Sequence, residues 1–167
     1  KPEDVIFEAI GHCHDRMKNY AQARIQYRKA SHLRQDDSKL IYKIAYTYYN
    51  EGQWQSCFKQ LEIAMKMHRL QPEFNLLAGE CKMKLGLFKD AAQYFSNMVR
   101  VRPKSMAGWE ALIRCLFNAN SFEDALEQTN TALKMTKGKP IFLFYKSAVL
   151  FALNKGKEAI LQLEEAM

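Results

Sequence analysis

An all-α solenoid of stacked helix pairs is the fold class this sequence predicts, and three observations predict it. Seven glycines and four prolines in 167 residues are too few for the tight turns of an all-β chain. Apolar residues recur at spacings of three and four, as in Ile6, Ile10, Cys13 and Met17, which is the period of a helix and not of a strand. Small residues also recur every 34 positions along the whole chain without a gap, the mark of a repeat architecture. With 48% hydrophobic residues the chain can bury a core, which argues against disorder.

The repeat is displayed by blocks that begin at Asp4, Ser38, Pro72, Met106 and Pro140. Their eighth column reads Gly11, Ala45, Gly79, Ile113, Ser147, and their twentieth reads Ala23, Cys57, Ala91, Ala125, Ala159. The twenty-seventh reads Ala30, Ala64, Met98, Ala132, Ala166. Large apolar residues stand between them: Tyr20, Trp54, Phe88 and Phe122 in the seventeenth column, and Tyr27, Leu61, Phe95 and Leu163 in the twenty-fourth. Small columns let two helices approach closely and bulky columns fill the gaps between them.

Each block reads as two amphipathic helices. The first pair, in 4–37, breaks at Lys18-Asn19 and stops at Gln35-Asp36-Asp37; the second, in 38–71, breaks at Gly52-Gln53 and stops at Gln71-Pro72. The third, in 72–105, breaks at Gly86-Leu87 and stops at Pro103-Lys104-Ser105. The fourth, in 106–139, breaks at Asn120-Ser121 and stops at Gly138-Lys139-Pro140, with Leu126, Leu133 and Met135 giving its second helix an apolar face. The fifth, in 140–167, breaks at Asn154-Lys155-Gly156 and is truncated. Glycine and asparagine tolerate the left-handed backbone that ends a helix, and proline and serine begin the next one. The last two blocks depart from the pattern. Ile113 replaces a small residue and Thr129 a large one; Lys146 stands in the column of Ile10, Ile44, Ala78 and Leu112; Gly156 stands where an aromatic stood. The abrupt end at Glu164-Glu165-Ala166-Met167 makes the chain, on this reading, a piece of a longer array.

These columns resemble the tetratricopeptide repeat family over essentially the whole chain. The resemblance implies a right-handed α-α superhelix of antiparallel helix pairs, acting as a non-enzymatic scaffold for another protein or peptide. It further implies that the first helix of each pair lines a concave groove. Carried onto this sequence, that groove holds His12 and Arg16; Tyr42, Lys43, Tyr46, Tyr49 and Asn50; Glu80 and Lys84; and Arg114, Phe117 and Asn118. Glu8, Asp15, Phe144, Tyr145 and Phe151 fall in the same columns. Tyr42, Tyr46 and Tyr49 share one helix face, where a hydroxyl suits a partly wet groove better than a core. The alternative is that Tyr48 and one of the other tyrosines simply pack against the third block. Family members that grip a C-terminal carboxylate place Lys in the fifth column of one block, whereas here that column reads Glu8, Tyr42, Leu76, Glu110, Phe144. An internal segment or helix is therefore the expected ligand.

Other chemistries find little support. His12 and His14 lie two apart and point to opposite sides of a helix, so a shared metal ion is not expected, and Cys13, Cys81 and Cys115 occupy one recurring column expected to be buried. No Gly-x-Ser-x-Gly elbow, phosphate loop or Cys-x-x-Cys pair occurs, so neither an enzyme nor a bound cofactor is expected. The net charge of +7 lies wholly in the first three blocks, which favours an acidic partner there. Nucleic acid is disfavoured because few cations interleave with groove aromatics. Ile141 to Leu153, interrupted by Lys146 and Ser147, falls short of the ~20 apolar residues of a membrane span. The opening Lys1-Pro2-Glu3-Asp4 gives no signal peptide, and free thiols of the buried type suggest the cytoplasm. Two alternatives accompany the scaffold: a docking or regulatory arm of a larger protein, and self-association through the fifth block.

Overall fold

The computed structural model describes residues 2–35, 37–69 and 71–164; Asp36, Ala166 and the Glu165-to-Met167 end of the expected last helix lie outside the described residues. Ten helices occur among the described residues. They gather into two compact units, residues 1–85 and 86–167. The first unit holds α1 (Pro2–Arg16), α2 (Tyr20–Leu33), α3 (Ser38–Asn50), α4 (Trp54–Met67) and α5 (Pro72–Lys84). The second holds α6 (Phe88–Val101), α7 (Met106–Asn118), α8 (Phe122–Met135), α9 (Pro140–Ala152) and α10 (Gly156–Glu164). Within each unit every helix packs on the next in sequence, and α3 also meets α5 as α7 meets α9.

The helix ends follow from local chemistry. The fifteenth column is left-handed in all five blocks, with φ of 60° at Lys18, 74° at Gly52 and Gly86, 56° at Asn120 and 59° at Asn154. The next residue's N–H then reaches back five residues to cap the helix, as in Asn19 to the His14 carbonyl at 2.8 Å and Ser121 to the Leu116 carbonyl at 2.9 Å. At the block junctions the Asp37 carboxylate accepts from the Lys39 N–H at 2.9 Å, and Ser105 Oγ accepts from the Gly108 N–H at 3.2 Å. Pro72 and Pro140 open α5 and α9, where a missing N–H costs nothing. Two buried fourth-column side chains fasten their helices to the preceding turn: Asn75 Nδ2 donates to the Arg69 carbonyl at 3.0 Å, and Trp109 Nε1 to the Pro103 carbonyl at 2.8 Å.

The cores form where the small columns predict. Ala23, Cys57, Ala91, Ala125, Ala30, Ala64 and Ala132 are fully buried. The approach is tightest in the first pair, where a Cβ added to Gly11 would lie 2.7 Å from the Tyr27 ring. In the fourth pair the same two columns hold Ile113 and Thr129 with their sizes exchanged, both buried, and the Thr129 hydroxyl is satisfied by the Ala125 carbonyl at 2.6 Å. A second exchange occurs between α6 and α7. Met98 stands where the other blocks carry alanine, and Gly108 faces its Cε, which would lie 3.4 Å from an added Cβ.

The expected burial of Cys13 is corrected by the structure, which leaves it exposed. Ile6, Ile10 and Met17 are exposed with it, at 55%, 39% and 59%. The equivalent columns of the later odd-numbered helices face the helix before them: Thr47, Cys81, Cys115 and Val149 are buried because α2, α4, α6 and α8 respectively precede their helices. Among the described residues α1 packs on α2 and meets α3 through Glu8 and Phe7, and neither helix covers the Cys13 face. An ionic cluster holds that side: Arg34 pairs with Asp4 at 2.7 Å and with Glu8 and Asp37, and Lys43 reaches Glu8 at 2.5 Å. No described helix is long and apolar enough to cross a membrane.

Candidate functional site

The site grows from three tyrosines on α3. Spacings of four and three place Tyr42, Tyr46 and Tyr49 on one face, and their rings stack in series, 6.3 Å from Tyr42 to Tyr46 and 6.2 Å from Tyr46 to Tyr49. The series continues at both ends within the first unit. Phe74 of α5 stacks on Tyr42 at 5.3 Å, and Trp54 of α4 meets Tyr49 edge-on at 5.1 Å. All four separations lie within the range of favourable aromatic pairs. Five rings from three helices thus form one ladder, with Tyr46 at its centre 41% exposed.

The ladder's two ends open into pockets. One of about 220 Å³ lies beside Tyr42 and Phe74 and is also lined by Lys39, His68 and Glu73. The other, of about 320 Å³, lies beside Trp54 and is also lined by Gln53, Gln55 and Leu85. Burial pushes the Tyr42 hydroxyl up to about 12, helped by Tyr46, Glu73 and Glu80. Burial likewise raises Tyr49, whose hydroxyl donates to the Glu80 carboxylate. Both phenols are therefore neutral donors at neutral pH.

The remaining expected site residues are distributed unevenly. Lys84 is exposed with Nζ 5.9 Å from the Trp54 ring centre, so it borders the ladder together with Glu80. Asn50 is exposed at the end of α3. Lys43 turns the other way, onto Glu8 of α1 and within 5.8 Å of the Tyr27 ring. Lys43 first, and Arg34 after it, hold the Glu8 carboxyl below the usual carboxylate range against the opposing effect of burial. His12 and Arg16 are exposed on α1. Asp15 is raised by burial against the pull of His12 and Lys43, and its Oδ1 is buried without a hydrogen-bond partner. In the second unit Arg114, Phe117 and Asn118 lie exposed on α7, and Phe117 meets Phe122 edge-on at 5.3 Å.

The alternative of packing against the third block holds for Tyr42, which stacks on Phe74, and not for Tyr48. Its ring lies 4.3 Å below the Arg24 guanidinium and its hydroxyl accepts from Arg28 Nη2 at 3.1 Å, so it packs on α2 of the first pair and not on the third block. A residue two positions from Tyr46 and one from Tyr49 leaves their face of the helix. Conversely, Trp54, read as a filler of the seventeenth column, and Phe74, which the sequence did not single out, emerge as the ends of the ladder. The signal for Trp54 was present: an aromatic in the twelfth column is followed five residues later by one in the seventeenth, in Tyr49 and Trp54 as in Phe117 and Phe122.

Residues 82–140 match the tetratricopeptide repeat family model. No curated protein shows a significant sequence match. Among solved structures, the MamA RS-1 ArsTM double mutant superposes with a TM-score of 0.84 at 14% identity, covering 100% of this chain and 94% of that one. A MamA fragment, residue 41 to the end, from Desulfovibrio magneticus RS-1 gives 0.82 at 13% identity, with coverage of 100% and 94%. YrrB, described as a TPR protein with an unusual peptide-binding site, gives 0.78 at 16% identity, with coverage of 96% and 82%. These likenesses establish the fold: ten helices pairing into about five repeats.

Proposed function

For a chain built of tetratricopeptide repeats, a fold that typically mediates protein–protein interaction, we propose a non-enzymatic scaffold that holds a peptide or helix across the ring ladder of its first unit. The observation that carries this reading is the ladder itself, four stacked rings and an edge-on fifth, with the central Tyr46 open to solvent and a pocket at each end. Tyrosine and tryptophan supply large contact area at low entropy cost and carry most of the energy where polypeptides bind. Lys39 and Lys84 flank the rings, which supports an acidic segment as partner. YrrB lends support as a structural relative with a peptide-binding site.

The test is a displayed peptide library selected on the wild-type chain, with affinities measured by calorimetry. Tyr46→Ala should weaken the selected peptides about tenfold or more, a hot-spot cost of ~1.4 kcal/mol or above, with little change in melting temperature because the side chain is exposed. Peptides indifferent to Tyr46→Ala and to Lys84→Glu would move the site elsewhere. Self-association is a second reading, favoured by Ile160 and Leu161 of α10, which are 59% and 54% exposed. A single monomeric species in sedimentation at high concentration would remove it. A cytoplasmic setting belongs to the same proposal, supported by Cys57 and Cys81, free thiols in hydrogen-bond contact within the core.

A further inference from the structure

The second unit gathers its cations at one end. Helices α6 to α9 have 14, 13, 14 and 13 residues, each packed on the next, so the α6–α7 and α8–α9 junctions return to the same end of the layer. Those junctions hold Arg100, Arg102 and Lys104, and Lys134, Lys137 and Lys139, all exposed. No Asp or Glu occurs from 91 to 109 or from 128 to 157. Glu110, the next carboxylate along the chain, stands in the second turn of α7 and acts on Tyr145. At the unit's opposite end the signs mix, with Lys89 beside Asp90, Glu123 beside Asp124, and Lys155 and Lys157 beside Glu158. Arg102 is engaged elsewhere and Arg100 donates to Asn97 Oδ1 at 3.3 Å, so the patch proper is the four lysines.

Three of those lysines stand against the fold's own preferences. Cations suit the last turn of a helix, which accounts for Arg100 and Lys134. Lys139, however, is the N-cap of α9, and Lys104 immediately precedes Ser105, the N-cap of α7, so both meet the positive end of a helix dipole. Lys137 has a φ of 57°, a left-handed backbone that glycine adopts at lower cost. Local stability therefore accounts for none of the three. Aliphatic side chains, Val101, Met106, Met135 and Ile141, are exposed among them, whereas the neighbouring rings of Trp109 and Phe142 are buried. In this unit each helix covers the flank of the one before it and leaves the junction turns uncovered, so a further pair would leave them open as well.

We propose that this end of the second unit docks on an anionic lipid surface, its lysines among the headgroup phosphates and its aliphatic side chains at the acyl boundary. Charge complementarity gives the sign of the partner, and the aliphatic side chains between the lysines give its kind. A lipid surface answers both, with anionic headgroups above an apolar layer. A single-stranded nucleic acid would call for exposed rings to stack on its bases, and a duplex backbone offers nothing to methionine and isoleucine. Docking is peripheral, since no described helix is long and apolar enough to cross a membrane. It is independent of the ring ladder, which belongs to the other unit.

The test is co-sedimentation of the whole chain with phosphatidylcholine vesicles, with and without about 30 mol% phosphatidylserine, at about 0.1 M salt. Partition should be about tenfold or more stronger on the anionic vesicles. Each lysine near such a surface contributes a factor of about five, so Lys104→Glu with Lys139→Glu should lower the partition about 25-fold or more. The melting temperature of that variant should hold or rise, because carboxylates suit helix N-termini. Lys137→Gly should lose about fivefold in partition and also gain stability, which a merely structural lysine would not do. Met135→Ser with Ile141→Ser, at unchanged charge, should lose about fivefold or more. Lys155→Gln with Lys157→Gln, at the opposite end, should leave the partition unchanged. The proposal is overturned if the wild type ignores anionic vesicles, or if the natively folded Lys104/Lys139 variant or the Met135/Ile141 variant binds them undiminished. It is likewise overturned if the Lys155/Lys157 variant loses as much, which would make net charge sufficient. Tighter binding of oligothymidylate or polyglutamate than of the vesicles would overturn it in favour of a nucleic acid or an acidic protein.

Discussion

Gly11→Ala is the sharpest perturbation the packing offers. The added Cβ would lie 2.7 Å from both Tyr27 Cδ1 and Cε1, a distance side chains do not tolerate, and the Tyr27 ring is 1% exposed with no free space to retreat into. Overpacking of this kind costs about 1–3 kcal/mol. Replacing glycine by alanine inside a helix returns about 0.5–1 kcal/mol, so the net loss expected is about 1–2 kcal/mol. The second pair shows the remedy, since it carries Ala45 and Leu61 in the same two columns, both fully buried. Tyr27→Leu alone should destabilise by about 2 kcal/mol or more through the lost ring. The double variant should be better than the sum of the two by about 1 kcal/mol or more, because the methyl enters space the ring has left. Urea unfolding followed by circular dichroism gives the four stabilities, and amide exchange of α1 and α2 shows that the loss is local. A neutral or stabilising Gly11→Ala, or a cycle additive to within about 0.5 kcal/mol, would refute the close-approach account.

Other perturbations follow from the helix ends and the α1 charges. Lys18 holds a left-handed φ of 60° where the second and third blocks have glycine; Lys18→Gly should stabilise by about 0.5–1 kcal/mol, and Gly52→Ala should destabilise by about 1–2 kcal/mol, both read from urea midpoints. Asp15 is raised by burial, so its ionised form opposes folding. Asp15→Asn should therefore raise the melting temperature at neutral pH, and the gain should vanish once pH falls below the ordinary value of ~3.9, where folded and unfolded chains are both protonated. Glu8 has the opposite sign: its carboxyl is lowered by Lys43 and Arg34, so its contribution is present above the ordinary value of ~4.3 and lost as pH falls through the lower folded value. Glu8→Gln should flatten that acid limb; an unchanged limb would mean the cluster is screened by solvent.

Much of this fold can be read from residue size and backbone chemistry alone. The 34-residue spacing puts a left-handed residue in the fifteenth column of every block, a geometry that favours a residue whose Cβ is absent or whose amide bonds locally. Lys18 shows that tertiary packing can force the conformation where the sequence offers no such residue. Cys13 was misread for a different reason. Column arithmetic treats every block as having a neighbour before it, whereas burial requires the neighbour to be present, and neither α2 nor α3 covers the Cys13 face of α1. The ladder was half legible: period 3.6 aligns Tyr42, Tyr46 and Tyr49, but nothing in a one-dimensional pattern brings Phe74 from a different helix onto Tyr42.

The departures from the repeat divide into two kinds, those compensated by a neighbour and those that are not. Ile113 with Thr129, and Met98 with Gly108, are exchanges in which one side of an interface grows and the other shrinks, so the space stays filled and all four residues are buried. Such substitutions keep core volume, which is the condition a close-packed interior imposes. The change to Gly156 has no counterpart of this kind. Ala159 does not grow to match it, and Phe151, the ring such a residue would meet, is 74% exposed. Loss of the one ring that the other four blocks carry in the seventeenth column leaves Phe151 open to water and forfeits apolar burial. Restoring the ring by Gly156→Phe, where an added Cβ meets nothing within 4 Å, should accordingly raise the urea midpoint of the second unit as it covers Phe151. A natively folded variant that lost stability would show instead that the fifth pair had repacked around glycine, and its departure would then belong with the compensated kind.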